Sequence, residues 1–150
     1  MEDTHSFYMG YALEEARKAY QKGEIPVGSV LIGGGRILAK THNQTQTLED
    51  ATAHAELLAI TAAQIALGSR YLKGCTLYVS LEPCIMCAGA LYWTQLSQLI
   101  YACEDEKRGF SRYTPNPLHP QTQVMRGPKR EEARALIKEF FISLRQNLNP

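Results

Sequence analysis

The chain has no run approaching the ~18 consecutive apolar residues of a membrane-spanning helix. It also has only four cysteines, unevenly spaced, which excludes the disulfide framework of a small secreted domain. Charge of one sign is missing too: 16 Lys and Arg stand against 15 Asp and Glu, and a net +1 gives no whole-chain bias toward nucleic acid. The first residues, Met1 to Ser6, are acidic and polar, so the basic start and apolar core of a signal peptide are absent. No internal repeat, low-complexity tract or linker interrupts the sequence. What is present is ordinary for a globular chain, with 45% apolar and 21% charged residues over 150 positions. That length suits one domain spanning 1–150, able to bury roughly 70% of its unfolded surface. The expected location is the cytoplasm, where four reduced thiols point to metal or redox chemistry.

Apolar periodicity sets out the elements. Met9, Ala12, Leu13, Ala16, Ala19 and Tyr20 recur at helical spacing, and Gly23 follows where a C-terminal cap belongs. Val27–Ile32 and Arg36–Ala39 flank three glycines and read as a hairpin. A polar loop from Asn43 to Thr52 leads into a helical pattern over Ala53–Leu67, with Leu57, Leu58, Thr61, Ala62 and Ile65 as its apolar face. Strands are expected at Thr76–Val79 and Leu99–Ala102 with a helix over Cys84–Trp93 between them, followed by a loop over 104–120 and a weak strand near Gln123–Met125. The last helix carries the stripe Ala133, Leu136, Ile137, Phe140, Phe141 and Leu144. A hairpin followed by alternating helices and strands predicts an α/β fold, a mixed sheet with helices on both faces.

Three short pieces carry chemistry: Thr52-Ala53-His54-Ala55-Glu56, Leu81-Glu82-Pro83-Cys84, and Ile85-Met86-Cys87. Taken singly, a histidine at a helix start is a cap and a C-x-x-C is a redox pair or two buried thiols. Together they make a different case. Cys84 and Cys87, three apart in a first helical turn, share a face, and a helix N-terminus favours the thiolates a metal needs. With His54 they form a soft S₂N set suited to Zn²⁺. Three protein ligands leave a fourth position for water or hydroxide, as in a catalytic site. A closed structural site stays open as the alternative, with His5, His42, Cys75, Cys103 and His119 as the remaining donors. Glu56 follows His54 by two residues, about 200° round a regular helix, so it is badly placed as a further ligand. At the start of the first turn it still reaches a zinc-held water, as a general base and acid.

H-A-E followed by P-C-I-M-C is the pattern of the zinc nucleobase deaminases. With Gly23-Glu24-Ile25-Pro26-Val27-Gly28, His42-Asn43, Gly74–Val79 and Leu81–Gly89, the chain resembles bacterial tRNA-specific adenosine deaminases of the cytidine/deoxycytidylate deaminase-like superfamily. The resemblance implies a cytidine-deaminase-like three-layer sandwich with about five strands, acting as a homodimer. It implies one Zn²⁺ per subunit on His54, Cys84 and Cys87, Glu56 as proton shuttle, and Asn43, Val27, Ala55 and Asp105 at the substrate. The implied reaction converts adenosine to inosine at the wobble position of a tRNA anticodon stem-loop. Two departures stand out: Ala102 replaces a usual glycine after Tyr101, and the connection from Gly109 to Gly127 is shorter than in the best-known tRNA enzymes. Cys75 and Cys103 are expected as buried strand thiols.

The alternatives are a deaminase of free guanine, cytosine or a nucleoside, and a non-catalytic zinc-stabilised interaction module. The carboxylate beside an open coordination position speaks against the module. Charge distribution separates the enzymes: residues 107–130 hold six basic residues and no acid, and the remainder of the chain sums to −5. Lys107, Arg108 and Arg112, interleaved with Phe110 and Tyr113, are the expected RNA contacts, cations for phosphate and rings for unpaired bases.

Overall fold

Five strands form one mixed sheet in the order β2-β1-β3-β4-β5. A computed structural model describes residues 2–148, with the elements α1 (Glu2–Gln21), β1 (Gly28–Gly33), β2 (Arg36–His42), α2 (Ala55–Leu67), β3 (Thr76–Leu81), α3 (Ile85–Thr94), β4 (Gln98–Cys103), β5 (Gln123–Arg126) and α4 (Arg130–Leu148). The hairpin β1–β2 turns on Gly34 and Gly35, both at positive φ (59° and 74°). Two such residues make the mirror-image turn whose twist matches the strands, and only glycine adopts it without strain. β1 also pairs antiparallel with β3, whereas β3, β4 and β5 run parallel.

The central strands are covered on both faces. Leu31, Leu77, Val79, Leu99 and Tyr101 pack under α2 and α3. Their alternates Val30, Ile32, Tyr78, Ile100 and Ala102 pack with α1 residues Met9, Ala12 and Leu13 and with Ala133 of α4. Successive side chains therefore meet apolar layers in both directions, so these strands read as continuous apolar runs rather than alternating ones. The result is three layers, with α2 and α3 on one side and α1 and α4 on the other.

Two expectations need correction. The buried face of α2 is Ala55, Glu56, Ala59, Ile60 and Ala63, whereas Thr61 is exposed and Ile65 is 77% exposed. The small residues lie inward because α2 packs close to the sheet, and bulky Leu57 and Leu58 are left half-buried at its flanks. The segment 104–120 is not all loop: Phe110–Arg112 form a short 3₁₀ turn.

One buried polar cluster ties α1 to the end of β2. Glu15 Oε1 lies 2.9 Å from His42 Nδ1, Lys18 Nζ donates to Oε2 at 2.7 Å, and Lys22 Nζ lies 3.3 Å from His42 Nε2. Burial pushes the Glu15 carboxyl up, but the bonds from His42 and Lys18 outweigh it and hold the group below its ordinary 4.5. Such a carboxylate contributes stability above 4.5, and the contribution is lost as pH falls through its lowered value. Glu15→Gln is therefore expected to cost about 1–3 kcal/mol at neutral pH, where buried charged bonds are lost. Urea midpoints should show the gap to wild type narrowing as pH drops below 4.5.

Candidate active site

Two helix N-termini converge beside the carboxyl end of β3. His54 is the N-cap of α2 and Cys84 the N-cap of α3, both with extended backbone, and Cys87 follows in the first turn of α3. His54 Nδ1 lies 3.6 Å from Cys84 Sγ and 3.5 Å from Cys87 Sγ. A tetrahedral zinc with sulfur at ~2.3 Å and nitrogen at ~2.0–2.1 Å sets an N···S edge of about 3.5 Å, so both N···S distances match the ion. The donor atoms all lie within 4.8 Å of one another, and no fourth donor joins them among the described residues. His42, one of the remaining donors for a closed site, is committed to Glu15 and Lys22. Cys75 and Cys103 are buried, the first just before β3 and the second as the last residue of β4.

The electrostatics suit a cation. The adjoining Cys87 thiol, with the His54 ring, holds Cys84 down to about 4 against burial, so it is a thiolate at neutral pH. Cys87, which shares its proton with Cys84 and is buried, is pushed up instead. A bound dication would favour the thiolate form of both cysteines. The positive ends of both helices add to this.

Glu56 lies 4% exposed behind the triad, and burial pushes its carboxyl up to about 7 against the pull of its own backbone N–H. It comes near His54 despite the two-residue spacing because His54, at φ −72° and ψ 152°, stands outside the helix. The helical rotation per residue applies only from Ala55 onward.

The other expected pocket residues gather around the same helix start. Asn43 N–H donates to the Val27 carbonyl at 3.0 Å, and Gln44 N–H to the Ala53 carbonyl at 3.0 Å. Thr41 Oγ1 donates to the Ala55 carbonyl at 2.7 Å, tying β2 to α2. Asn43 and Ala55 are buried and Val27 is half-buried. Asp105 sits in the loop after β4, where its Oδ1 accepts the N–H groups of Lys107 and Arg108, both at 3.1 Å.

The basic segment divides. Arg126 and Arg130 both bind Glu104, at 3.0 and 2.5 Å, and Lys129 lies 4.0 Å from Glu132. The Arg130 guanidinium holds the Glu104 carboxyl down to about 2. Lys107, Arg108 and Arg112 are exposed and have no carboxylate partner among the described residues. Tyr113 is 45% exposed, but Phe110 is 4% exposed and packs edge-on against Tyr101. Phe110 is thus a core anchor, not a free stacking platform, because the 3₁₀ turn directs it inward. Sequence reasoning gave no role to three buried carboxylates, Glu15, Glu24 and Glu82. For Glu15, within the apolar pattern of α1, and Glu82, directly after β3, the signal was an acid inside or at the end of an apolar segment, where hydrogen bonds must offset its burial.

Residues 2–103 match the sequence model of the cytidine and deoxycytidylate deaminase zinc-binding region. The chain belongs to this family. It is a zinc-dependent hydrolytic deaminase, and His54, Cys84 and Cys87 are the group among the described residues that could hold the ion. A tRNA-specific adenosine deaminase of Aquifex aeolicus is 42% identical over 147 residues, which covers 95% of this chain and 97% of the relative. One of the same description from Bacillus subtilis is 42% identical over 144 residues, covering 93% and 89%. A structure solved in work on A-to-I editing by tRNA:A34 deaminases superposes with a TM-score of 0.82 at 38% identity, covering 87% of this chain and 99% of that one. A guanine deaminase from Bacillus subtilis is 40% identical over 67% of this chain and 64% of its own, with a TM-score of 0.64.

Proposed function

We propose that this deaminase converts adenosine to inosine at the wobble position of a tRNA anticodon. The observation that carries the reading is the loop 105–113, with Lys107, Arg108 and Arg112 exposed, set directly against the zinc loop: Gly109 bridges Cys84, and Phe110 N–H donates to the Pro83 carbonyl at 2.9 Å. Near full-length similarity at 42% identity to tRNA-specific adenosine deaminases supports it, whereas guanine deaminases match either at 40% identity over 67% of the chain or at 27% over 89%.

When bound, Zn²⁺ supplies an acidified water as nucleophile at neutral pH. Glu56 would pass one proton of that water to N1 of adenine as the C–O bond forms at C6. It would then move the remaining hydroxyl proton to the exocyclic amine, which leaves as ammonia while the C6 carbonyl of inosine forms. Asn43, Val27 and Ala55 wall the pocket that receives the flipped base. Asp105 shapes the loop beside it, and Lys107, Arg108, Arg112 and Tyr113 meet the RNA.

The enzyme works as one domain in the cytoplasm, paired with a second copy of itself. The apolar side chains that α2 and α3 leave exposed support the pairing, above all Ile65 and Trp93, each 77% exposed. No helix among the described residues is long and apolar enough to cross a membrane. Light scattering that gave the mass of a single 16.8 kDa chain would contradict the pairing.

A side-by-side assay tests the substrate. An anticodon stem-loop should yield inosine, while free guanine and cytosine release no ammonia; the reverse result overturns the reading. Arg108→Glu with Arg112→Glu should weaken stem-loop binding by about 10²-fold or more at low salt and flatten its salt dependence, since each lost phosphate contact retains its counterion. Zinc content should not change.

A further inference from the structure

We propose that Glu82 is a positioning residue for the nucleic-acid substrate: its carboxylate sets the 105–113 loop at the mouth of the zinc site. The proposal rests on the RNA reading above and adds how the loop is held. Glu82 follows the end of β3 and is 3% exposed. Its two oxygens divide between the two ends of the loop: Oε1 accepts the Asp105 N–H at 3.0 Å and Oε2 the Ser111 N–H at 2.9 Å. No Lys or Arg pairs with it among the described residues. A buried carboxylate without a counter-ion is tolerated only where N–H groups replace its water, and here both come from the loop.

The space between those two bonds is filled as well. A Cβ on Gly109 would stand 2.3 Å from the Glu82 carboxyl carbon, so the carboxylate occupies the side-chain volume of residue 109. Glu82 N–H also donates to the Cys103 carbonyl at 2.7 Å, and Phe110, between the two pinned points, packs into the core against Tyr101. Between and beside the pinned points lie Lys107, Arg108 and Arg112, all exposed, with Arg112 clasping the Glu106 carbonyl. Two residues along the chain from Glu82 is Cys84. One side chain thus fixes the cations of the loop relative to the metal ligands, the geometry a phosphate backbone must match while its base sits at the zinc.

Two variants loosen the clamp by different routes. Glu82→Gln keeps the volume but turns one acceptor into an NH₂ facing an N–H donor. Gly109→Ala leaves Glu82 intact and pushes it aside. In each, trypsin cleavage after Lys107, Arg108 and Arg112 should accelerate at least about tenfold, the scale of losing a charge-assisted bond. KM for the stem-loop should rise by about the same factor, with kcat within about twofold and zinc content unchanged. Because both variants act on one contact, the double variant should raise KM little beyond the larger single effect. Unchanged cleavage and KM overturn the proposal, and so does lost zinc or a fall in kcat at constant KM, which would place the role of Glu82 in the metal loop. A wild type inactive on the stem-loop overturns the RNA reading by itself. The trypsin rates need no substrate and decide the clamp separately.

Discussion

Glu56→Gln should lower kcat by about 10³-fold or more while zinc content and folding stay at wild-type levels. The amide keeps the shape of a side chain that is 4% exposed, so no cavity opens at the start of α2. It also removes nothing from the group that could hold the metal, which is His54, Cys84 and Cys87 without Glu56. What it loses is the ability to accept a proton and return it, which the reaction requires twice. The deficit should fall on kcat rather than KM, since a group acting only in the transition state contributes no ground-state affinity. Stopped-flow or single-turnover kinetics on the stem-loop, with zinc measured on the same sample, check both halves. Turnover within tenfold of wild type would remove Glu56 from the proton path.

How much of this site the sequence revealed follows from which distances are local. Cys84 and Cys87 are one helical turn apart, so their shared face was readable from spacing alone. His54 is 30 residues away from Cys84, and its place beside the thiols depends on α2 and α3 packing side by side on one face of the sheet. The H-x-E and P-C-x-x-C pattern supplied that link by resemblance; periodicity does not contain it. Glu56 shows the reverse difficulty. A regular helix places it away from His54, and only the extended backbone at the N-cap brings the two together.

The α2 face was misread for a physical reason. Periodicity favours the largest apolar residues, but a helix lying close on a sheet buries its smallest, and Ala55, Ala59 and Ala63 allow that approach. Charges counted along the chain do not show which of the six basic residues at 107–130 are paired. Glu104 lies just outside that window, and folding brings Arg126 and Arg130 back onto it. The pairing narrows the candidate RNA surface to the stretch that Glu82 holds. Clamps of this kind are invisible to pattern reading, because their partners are backbone N–H groups, which every residue but proline carries.

Cys87→Ala is the variant expected to lose most. Zinc sites worth about 10–16 kcal/mol over four donors imply roughly 10²–10³-fold weaker binding when one is removed, so the purified protein should carry only traces of metal and no activity. Its fold should survive, unlike that of a zinc finger, because the two apolar layers on either side of the sheet contain no metal ligand whose loss would empty them. Circular dichroism of the variant should match chelator-treated wild type. Zinc content equal to that of the wild type would mean that Cys87 is not a ligand. Set beside Glu56→Gln, the comparison separates the two halves of the site: one variant keeps the metal and loses the proton path, the other loses the metal while Glu56 remains.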